Sequence, residues 1–520
     1  MKSGAVEGGT VESGTMPGGK WKVESGKVNN LSGFSGVVFL IMVSLLSMTA
    51  HPAFGQTTVR QDSVPQDSIR QDSIPQNSIP ATITGELVLM DQHLLEGNVT
   101  VAGEGVLILE AGARLRVAPD AALTVQGTLR VDGSEDNPVE ISSAEGTTWK
   151  GITLLTGAKG VIIHGRILRA EKGISVLAAR LEISMTTITG SETGIHLVRE
   201  AEADIKGVTF KDNKVGLAAE MRSTGEISGC LFEGNNIGLG IASGAKPLVK
   251  GNRFFRNDMG VQVLQRFPGK IEGNNFEGNK VGIRLYQNGP DTVVERNRFV
   301  DNSDAAVLAL SYTSPVIRNN YMAGGKYGIY ATQFSSPLIE DNEIRDMALA
   351  VHLNKKNVSR FQGNVVADSR IGMFYDFSSY PLIRDNLFSG NGKHLKLGKF
   401  QSSDWESRAG SKNYVLETAA RQGSRNPRLG QGPKEFPQAV DATGNWWDEK
   451  TFKEMIEKGG DADISTLYDG HDLPEVTYEG FGEESYLLDK ILYLPALETE
   501  PETAGLKGWE GTADELALGF

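Results

Sequence analysis

A 22-residue repeat runs through the middle of this 520-residue chain and limits its fold more than any other feature. One column of the repeat holds Gly or Ala, with a register shift of two after the fifth copy: Gly194, Gly216, Gly238, Gly260, Gly282, then Ala306, Gly328, Ala350, Gly372. A second column holds Asn252, Asn274, Asn297, Asn320, Asn342, Asn364 and Asn386. A third holds Phe210, Phe232, Phe254, Phe276, Phe299, Met322, Ile344, Val366 and Phe388. Three aligned columns indicate stacked copies of one structural unit.

Each repeat contains three short apolar pieces separated by Asn or Gly, for example Lys270–Glu272, Asn275–Glu277 and Val281–Tyr286. Pieces this short favour strands, because a helical repeat needs periodic runs of about 10–15 residues. Three strands that coil once per repeat would stack on their equivalents about 4.8 Å away in three parallel sheets. We therefore predict an all-β solenoid of about thirteen coils. Its Phe column would stack inside, and its Asn column would occupy bends, where Asn tolerates a left-handed backbone and its amide bonds the neighbouring coils.

Two further motifs carry a resemblance to a known family. Residues Leu123–Leu154 contain a V-x-G-x-L-x-V run, a D-N-P-V-x-I turn and a W-x-G-I strand. GNWWDEK, residues 444–450, resembles a closing G-N-Y-W-G element, with Trp447 in the Trp place, Trp446 for Tyr and Asp448 for Gly. With the repeat columns, these motifs resemble right-handed parallel β-helix proteins of the pectate-lyase-like superfamily. The bacterial exported group that includes the periplasmic copper-maturation accessory protein of nitrous oxide reductase is especially similar.

The resemblance covers about residues 83–497 and implies a right-handed parallel β-helix with coils of about 22 residues and three parallel sheets. It leaves the function open, because this fold carries lyases, hydrolases, epimerases, binding proteins and accessory factors.

The N-terminal region is typical of an exported protein. An uncharged apolar run, Gly36–Ala50, follows three lysines and precedes small residues before Gln56, which is the layout of a signal peptide and short for a membrane span. An uncleaved anchor is the alternative, and the true start could be Met16. Residues 60–80 repeat Gln, Asp or Asn, Ser and an aliphatic residue, a composition that cannot bury a core. They form a tether that serves either as a spacer or as a partner-binding segment.

These patterns divide the chain into seven segments. They are a signal peptide at 1–55, a disordered linker at 56–82, N-terminal coils at 83–160, regular repeats at 161–398, a loop insertion at 399–441, a closing coil with a short helical cap at 442–497, and an acidic, loose tail at 498–520. In the cap, Thr451 is the expected helix N-cap and Gly459 the expected stop.

Composition excludes several classes of function. A net charge of −13 argues against a broad nucleic-acid surface, since phosphate binding uses clustered Lys and Arg. The single cysteine, Cys230, rules out an intrachain disulfide and a thiolate zinc site. Cys230 takes the Asn place in its own repeat, where we expect an inert buried thiol. We expect no cofactor and no metal.

Side-chain alternation assigns the faces of the longest strand in each repeat. The residue after the repeat Gly or Ala points inward and the next points outward. From Arg284 onward the outward positions gather aromatic, cationic and amide side chains, which suit a sugar chain. The expected ligand-binding residues are Arg284, Tyr286, Tyr330, His352, Asn354, Lys355, Phe374 and Asp376, and the turn after the strand adds Tyr312, Phe334, Lys356, Phe377 and Tyr380. Alternatively, the aromatic residues cover loops or pack against the 399–441 insertion.

Three functional hypotheses follow. The first is an exported β-helix, non-catalytic or at most weakly catalytic, that binds polysaccharide or another cell-envelope component, with no nucleic-acid partner and no membrane span after signal cleavage. The second is a polysaccharide lyase, epimerase or glycoside hydrolase acting on an acidic glycan. Its candidate catalytic residues are Tyr330, His352 and Asp376, with Arg284 or Lys355 holding the acid. The third is a structural or accessory solenoid. Oligomeric state is left open by the sequence.

The first prediction concerns export. Because the apolar run ends in small residues before Gln56, the mature protein should begin near Gln56 and lie outside the cytoplasm. N-terminal sequencing of the native protein checks this. A cytoplasmic species that still begins at Met1 or Met16 contradicts it.

Overall fold

Short strands follow one another along the chain and stack, coil upon coil, into three long parallel sheets. The computed structural model describes residues 79–409, 439–477 and 485–509. The predicted signal peptide, the linker before residue 79, residues 410–438 of the insertion and the end of the tail from 510 lie outside the described residues.

Sheet 1 has sixteen strands. They are β1 Thr82–Ile83, β4 Val99–Val101, β7 Ala122–Val125, β10 Trp149–Leu154, β13 Ala170–Leu177, β16 Thr193–Val198, β19 Val215–Ala219, β22 Ile237–Ala242, β25 Met259–Leu264, β28 Val281–Tyr286, β31 Ala305–Leu310, β34 Tyr327–Ala331, β37 Leu349–Asn354, β40 Ile371–Asp376, β43 Lys393–Leu397 and β46 Leu467–Tyr468.

Sheet 2 has fourteen strands. They are β2 Glu86–Leu89, β5 Val106–Glu110, β8 Thr128–Asp132, β11 Lys159–Ile163, β14 Arg180–Ser184, β17 Glu202–Lys206, β20 Thr224–Ser228, β23 Lys246–Lys250, β26 Lys270–Glu272, β29 Val293–Glu295, β32 Val316–Arg318, β35 Leu338–Glu340, β38 Arg360–Gln362 and β41 Leu382–Arg384.

Sheet 3 has fifteen strands. They are β3 Gln92–Leu95, β6 Arg114–Val117, β9 Val139–Ser143, β12 Gly165–Leu168, β15 Thr187–Thr189, β18 Thr209–Lys211, β21 Leu231–Glu233, β24 Arg253–Phe255, β27 Asn275–Glu277, β30 Arg298–Val300, β33 Tyr321–Ala323, β36 Glu343–Arg345, β39 Val365–Ala367, β42 Leu387–Ser389 and β45 Trp446–Trp447.

The remaining elements lie near the C-terminal end of the solenoid. They are helix α1 Ser403–Ala409, helix α2 Glu449–Lys458, the parallel pair β44 Ala439–Asp441 with β49 Lys490–Leu492, and the antiparallel pair β47 Glu475–Thr477 with β48 Ser485–Leu487. The predicted all-β parallel solenoid with three sheets and almost no helix is therefore confirmed. Neither of these helices is long and apolar enough to cross a membrane.

The predicted Phe column forms the centre of the core. Consecutive rings from Phe210 to Phe299 stack with centroids 4.7 Å apart and planes within 9° of parallel. The Gly column faces these rings. A Cβ on Gly260 would lie 2.7 Å from the Gly282 carbonyl oxygen and 2.9 Å from a Phe276 ring carbon, so the two columns require each other.

The predicted Asn column forms a buried ladder between sheets 2 and 3. Asn297, for example, donates from Nδ2 to Ile271 O on the coil before it and to Asn320 Oδ1 on the coil after it. One expectation was wrong: the left-handed backbone belongs to the residue before the Asn, such as Gly273 with φ 63°, which frees the Asn to direct its amide along the ladder.

A second Asn ladder lies between sheets 3 and 1, and the sequence analysis missed it. Asn213, Asn235, Asn257 and Asn279 each donate from the backbone N–H to the amide oxygen of the Asn one coil later. Their spacing of 22 residues was visible in the sequence. In the first ladder Cys230 replaces Asn as predicted, and burial raises the pKa of its thiol to about 11, which keeps the thiol protonated at neutral pH.

Two expectations about the C-terminal region were wrong, one on the helical cap and one on the tail. The N-cap of α2 is Asp448, which accepts from the Thr451 N–H, whereas Thr451 was expected. Contacts with the His394 ring, which contribute most, and with the backbone and side chain of Thr451 hold the pKa of Asp448 well below its ordinary value. The stop at Gly459 is confirmed.

The tail was expected to be loose, yet its described part contacts the solenoid. The Asn319 side chain donates to the Lys507 carbonyl oxygen and accepts from the Lys507 N–H.

The second prediction tests the interior stack. Phe276→Ala should lower the free energy of unfolding by about 3–5 kcal/mol, because the fully buried ring leaves a cavity between Phe254 and Phe299. Phe255→Ala is the matched control: this half-buried ring points outward against Arg253 and Arg256 and should cost much less. Equal losses in urea unfolding would show that the column is not the core.

Candidate functional site

The candidate site lies on the outer side of sheet 1, on strands β28, β31, β34, β37 and β40, which we call the late-coil face. Strand pairing places one outward residue of each strand in a single column, in the order Arg284, Leu308, Tyr330, His352 and Phe374. Adjacent coils are separated by about 4.8 Å, so the column presents one side chain per coil along the solenoid axis.

Four rings of this face form an aromatic cluster: Tyr327, Tyr330, His352 and Phe374. The Tyr330 and His352 rings stack with centroids 4.5 Å apart and planes 7° apart, close to the spacing expected from the sequence. The Phe374 ring meets His352 edge-on at 5.0 Å. Tyr327 completes the cluster, 5.1 Å from Tyr330 and 5.7 Å from His352.

Tyr327 was missed by the sequence analysis for a physical reason. Strand pairing skips Gly328, since Tyr327 pairs with Leu349 and Ile329 pairs with Val351. This irregularity lets Tyr327 and Tyr330 share one face although they are three residues apart, whereas strict alternation would place them on opposite faces.

His352 is a neutral, unsatisfied ring within this cluster. Neither of its buried ring nitrogens has a hydrogen-bond partner among the described residues. Burial, with a smaller contribution from the Lys326 ammonium, lowers the pKa of His352 to about 4. Lys326 itself lies 4.6 Å over the Tyr327 ring. At neutral pH His352 thus offers one donor and one acceptor.

Asn354 and Tyr330 add polar groups beside the ring of His352. The buried Oδ1 of Asn354 has no partner among the described residues. Burial raises the pKa of the Tyr330 hydroxyl, although the side chains of Thr332 and Asn354 act in the opposite direction. The hydroxyl is therefore protonated at neutral pH.

Arg284 is a half-buried cation at the early end of the face. Burial lowers its pKa, and its Nε has no partner among the described residues. One coil earlier in the same column, the buried Oε1 of Gln262 also has no partner there. Both side chains reach toward the sulfur of Met259. Tyr286 lies in the neighbouring column, paired with Leu310, and is not in line with Tyr330.

Asp376 is positioned differently from the other predicted residues. Its Oδ1 accepts from the backbone N–H groups of Phe377 at 2.9 Å and Phe400 at 2.8 Å, which fixes the turn after β40. Burial raises its pKa to about 6. No hydrogen bond or ion pair within the described ranges joins Asp376 to His352 or Tyr330.

The turn residues divide between the two interpretations offered by the sequence, which are ligand binding and packing against loops or the insertion. Lys355 is exposed. Lys356 pairs with Glu406 of α1, the Tyr380 hydroxyl donates to Asp489 at 2.9 Å, and Phe377 stacks on Phe400 at 4.5 Å. These three residues therefore pack against the start of the insertion and the C-terminal region. Tyr312 and Phe334 stack on each other at 5.0 Å.

A cavity of about 410 Å³ is lined by residues of sheet 2 and by Lys507 of the C-terminal tail. Its lining is charged, and much of that charge is paired internally, as in the contacts of Glu295 with Lys270 and Arg318 and of Lys507 with Asp341. Within the described ranges, no group of three His, Cys, Asp or Glu side chains is placed to bind a metal ion.

Residues 172–322 match the family model of the right-handed β-helix region. The described residues fold as a parallel β-helix, in line with this match. Residues 269–423, which include the late-coil face, match the model of the periplasmic copper-binding protein NosD. The predicted resemblance to right-handed β-helix proteins and to the NosD-like group is thus confirmed. No curated protein matches the chain significantly.

Solved structures similar to this β-helix protein are distant. A mutant of the periplasmic alginate epimerase AlgG is 15% identical, with a TM-score of 0.44, over 61% of this chain and 85% of that chain. The Azotobacter vinelandii mannuronan C-5 epimerase AlgE6 A-module is 14% identical, with a TM-score of 0.26, over 60% and 87%. The exopolygalacturonase of Thermotoga maritima is 13% identical, with a TM-score of 0.22, over 51% and 84%. Function is therefore inferred below from this chain's own residues.

The third prediction uses the opposite pKa shifts of His352 and Asp376. A His whose folded pKa is about 4, below its ordinary 6.5, contributes stability above pH 6.5 that is lost as the pH falls toward 4. An Asp whose folded pKa is about 6, above its ordinary 3.8, contributes stability below pH 3.8 that is lost as the pH rises through 6. The two effects oppose each other between pH 4 and 6.

Single substitutions should separate them. Between pH 7 and pH 4, the unfolding free energy of His352→Phe should rise relative to wild type by about 3 kcal/mol, and that of Asp376→Asn should fall by about 3 kcal/mol. Urea unfolding at four pH values from 4 to 7 measures both. Changes of the same sign in the two variants would contradict the assignment.

Proposed function

We propose that this β-helix protein is exported and binds a polysaccharide chain along the late-coil face without acting on it. The observation that carries the proposal is the aromatic cluster, whose central ring, His352, has two buried nitrogens with no partner among the described residues. Rings stack on the apolar faces of sugars, and unsatisfied polar groups next to them bond hydroxyls.

The geometry of the sheet supports a polymeric ligand. Parallel strands present equivalent positions at intervals of about 4.8 Å, so a chain lying along the solenoid axis meets one side chain per coil. From Arg284 to Phe374 the column spans five strands, a length that suits several linked sugar units rather than one.

Export is supported by two observations. The late coils match a family described as periplasmic, and the sequence carries the apolar run Gly36–Ala50. The copper binding named in that family's description is not proposed here. The Cys230 thiol is buried and protonated, and the core methionines Met322 and Met373 lie on different sheets inside the solenoid.

An enzymatic role on an acidic glycan is the second candidate, and one observation favours it. His352 has two unengaged nitrogens and is neutral at neutral pH, as a general base must be, but its pKa of about 4 makes it a weak base. The position of Asp376 argues against an enzymatic role, because its Oδ1 already accepts hydrogen bonds from two backbone N–H groups.

The fourth prediction tests the face. Tyr330→Ala and Phe374→Ala should each weaken retention of a bound polysaccharide by about 1–2 kcal/mol, roughly five- to thirtyfold, because each removes a stacking ring. Affinity electrophoresis in gels containing acidic or neutral polysaccharides measures the change. Phe255→Ala, an aromatic residue on the outer side of sheet 3, is the control and should retain wild-type binding.

The substitution His352→Ala, tested on the same glycans, distinguishes a binding protein from an enzyme. In a binder it weakens retention only. In an enzyme it abolishes the release of unsaturated uronate or reducing ends and spares retention. If all three substitutions on the face leave retention unchanged, or lower the melting temperature as much as Phe276→Ala does, the face is packing and the proposal fails.

A further inference from the structure

The late-coil face, together with the adjoining strand β25, carries two polar sites of different chemistry, and their spacing defines the ligand further. The first is the guanidinium of Arg284 with the amide of Gln262. The second is the imidazole of His352 within the aromatic cluster. This inference rests on the proposed function.

The Arg284 site favours an anion. A half-buried guanidinium with an unpartnered Nε is costly unless a negatively charged acceptor reaches it, and no carboxylate of the described residues does so. The neighbouring Gln262 Oε1 is an unpartnered acceptor that requires a donor. A sugar acid meets both needs, with its carboxylate on Arg284 and a hydroxyl on Gln262.

The His352 site requires a group that donates and accepts. A neutral imidazole carries one N–H and one lone-pair nitrogen, and both are buried without a partner among the described residues. A hydroxyl can satisfy either nitrogen, and two hydroxyls of one sugar can satisfy both. A carboxylate can only accept, so it leaves the lone-pair nitrogen unsatisfied. Of the charged side chains, Lys326 acts on this ring from the turn before β34, and Asp376 of β40 is engaged by backbone N–H groups.

The two sites are three coils apart. Arg284 pairs with Leu308, Leu308 with Tyr330, and Tyr330 with His352, which places Arg284 and His352 about 14 Å apart. Leu308 and Tyr330 between them offer an apolar leucine and a ring, with no formal charge at neutral pH. The Lys326 ammonium lies over the neighbouring Tyr327 ring, so selection against an acid at this end of the face depends on the hydrogen-bonding needs of His352 and not on an absence of charge.

We infer that the ligand is a mixed polysaccharide, in which an acidic sugar at Arg284 is followed, about 14 Å along the chain, by a neutral, hydroxyl-rich sugar at His352. The face selects this pattern over a chain of sugar acids and over a wholly neutral chain.

The test compares three kinds of polymer on the full-length mature protein. Polygalacturonate carries an acid on every unit, gellan and hyaluronan carry acidic and neutral units together, and dextran is neutral. Wild type should retain at least one of the mixed polymers about tenfold more tightly than polygalacturonate or dextran. Tightest retention of polygalacturonate or dextran overturns the inference.

Two variants assign the sites. Arg284→Gln should weaken retention of the mixed polymer about tenfold by removing the charge. His352→Phe keeps a ring between Tyr330 and Phe374 and removes both nitrogens, so it should also weaken that retention about tenfold. Melting temperatures within a few degrees of wild type show that the coils are intact.

The outcomes distinguish this inference from the proposed function. If a polymer is retained through Tyr330 and Phe374 but neither Arg284→Gln nor His352→Phe alters its retention, the mixed-ligand inference fails and glycan binding stands. If only Arg284→Gln has an effect, the site at His352 is refuted. If none of the polymers is retained at all, the proposed function fails with it.

Discussion

The hydrogen bonds of the buried asparagine ladders hold this structure in register. Asn297 shows the pattern: its amide nitrogen reaches a carbonyl one coil back, and its amide and backbone nitrogens both reach Asn320 one coil ahead. A one-residue slip would leave several buried polar groups without partners, at about 1–3 kcal/mol each. Because the ladders fix the coils, the outward columns are fixed as well. The late-coil face is aligned by bonds that lie on other sides of the solenoid.

Periodic sequence made the fold predictable, and departures from periodicity hid parts of the site. Columns at 22-residue spacing identified the Phe stack and one Asn ladder, since identical residues recur wherever identical contacts recur. Tyr327 escaped for another reason: strict alternation fails at the Gly or Ala of each coil, where the strand pairing skips one residue. Lys356 and Tyr380 looked like ligand contacts because their partners, Glu406 and Asp489, lie 50 and 109 residues further along the chain. Contacts of that kind have no period and leave no mark in a repeat.

The outer side of sheet 1 concentrates buried polar atoms without partners, although others occur elsewhere among the described residues, as at Tyr321 and Trp447. In the ladders, the buried amides are satisfied, whereas Gln262, Arg284, His352 and Asn354 each keep a buried polar atom without a partner among the described residues. All four lie on the outer side of one sheet. Such groups lower the stability of the free protein. A ligand that bonds them gains the favourable free energy of hydrogen bonds that the free protein does not make. The rigid coils on either side hold these groups in place before a ligand arrives, which reduces the ordering entropy of binding.

The docked C-terminal segment has a consequence for how the solenoid comes apart. The ladder bonds between neighbouring regular coils join residues 22 to 26 positions apart, so each coil depends mainly on its neighbours and the end coils could fray one at a time. Asn319, however, bonds Lys507 and Trp509, which lie 188 and 190 residues later, and Gly363 accepts from Gly505. These contacts tie the last described residues back to coils in the middle of the repeat. The coils from Asn319 to the cap, which include the aromatic cluster, are therefore held together by this contact. They cannot unfold one by one from the C-terminal end until residues 505–509 have detached.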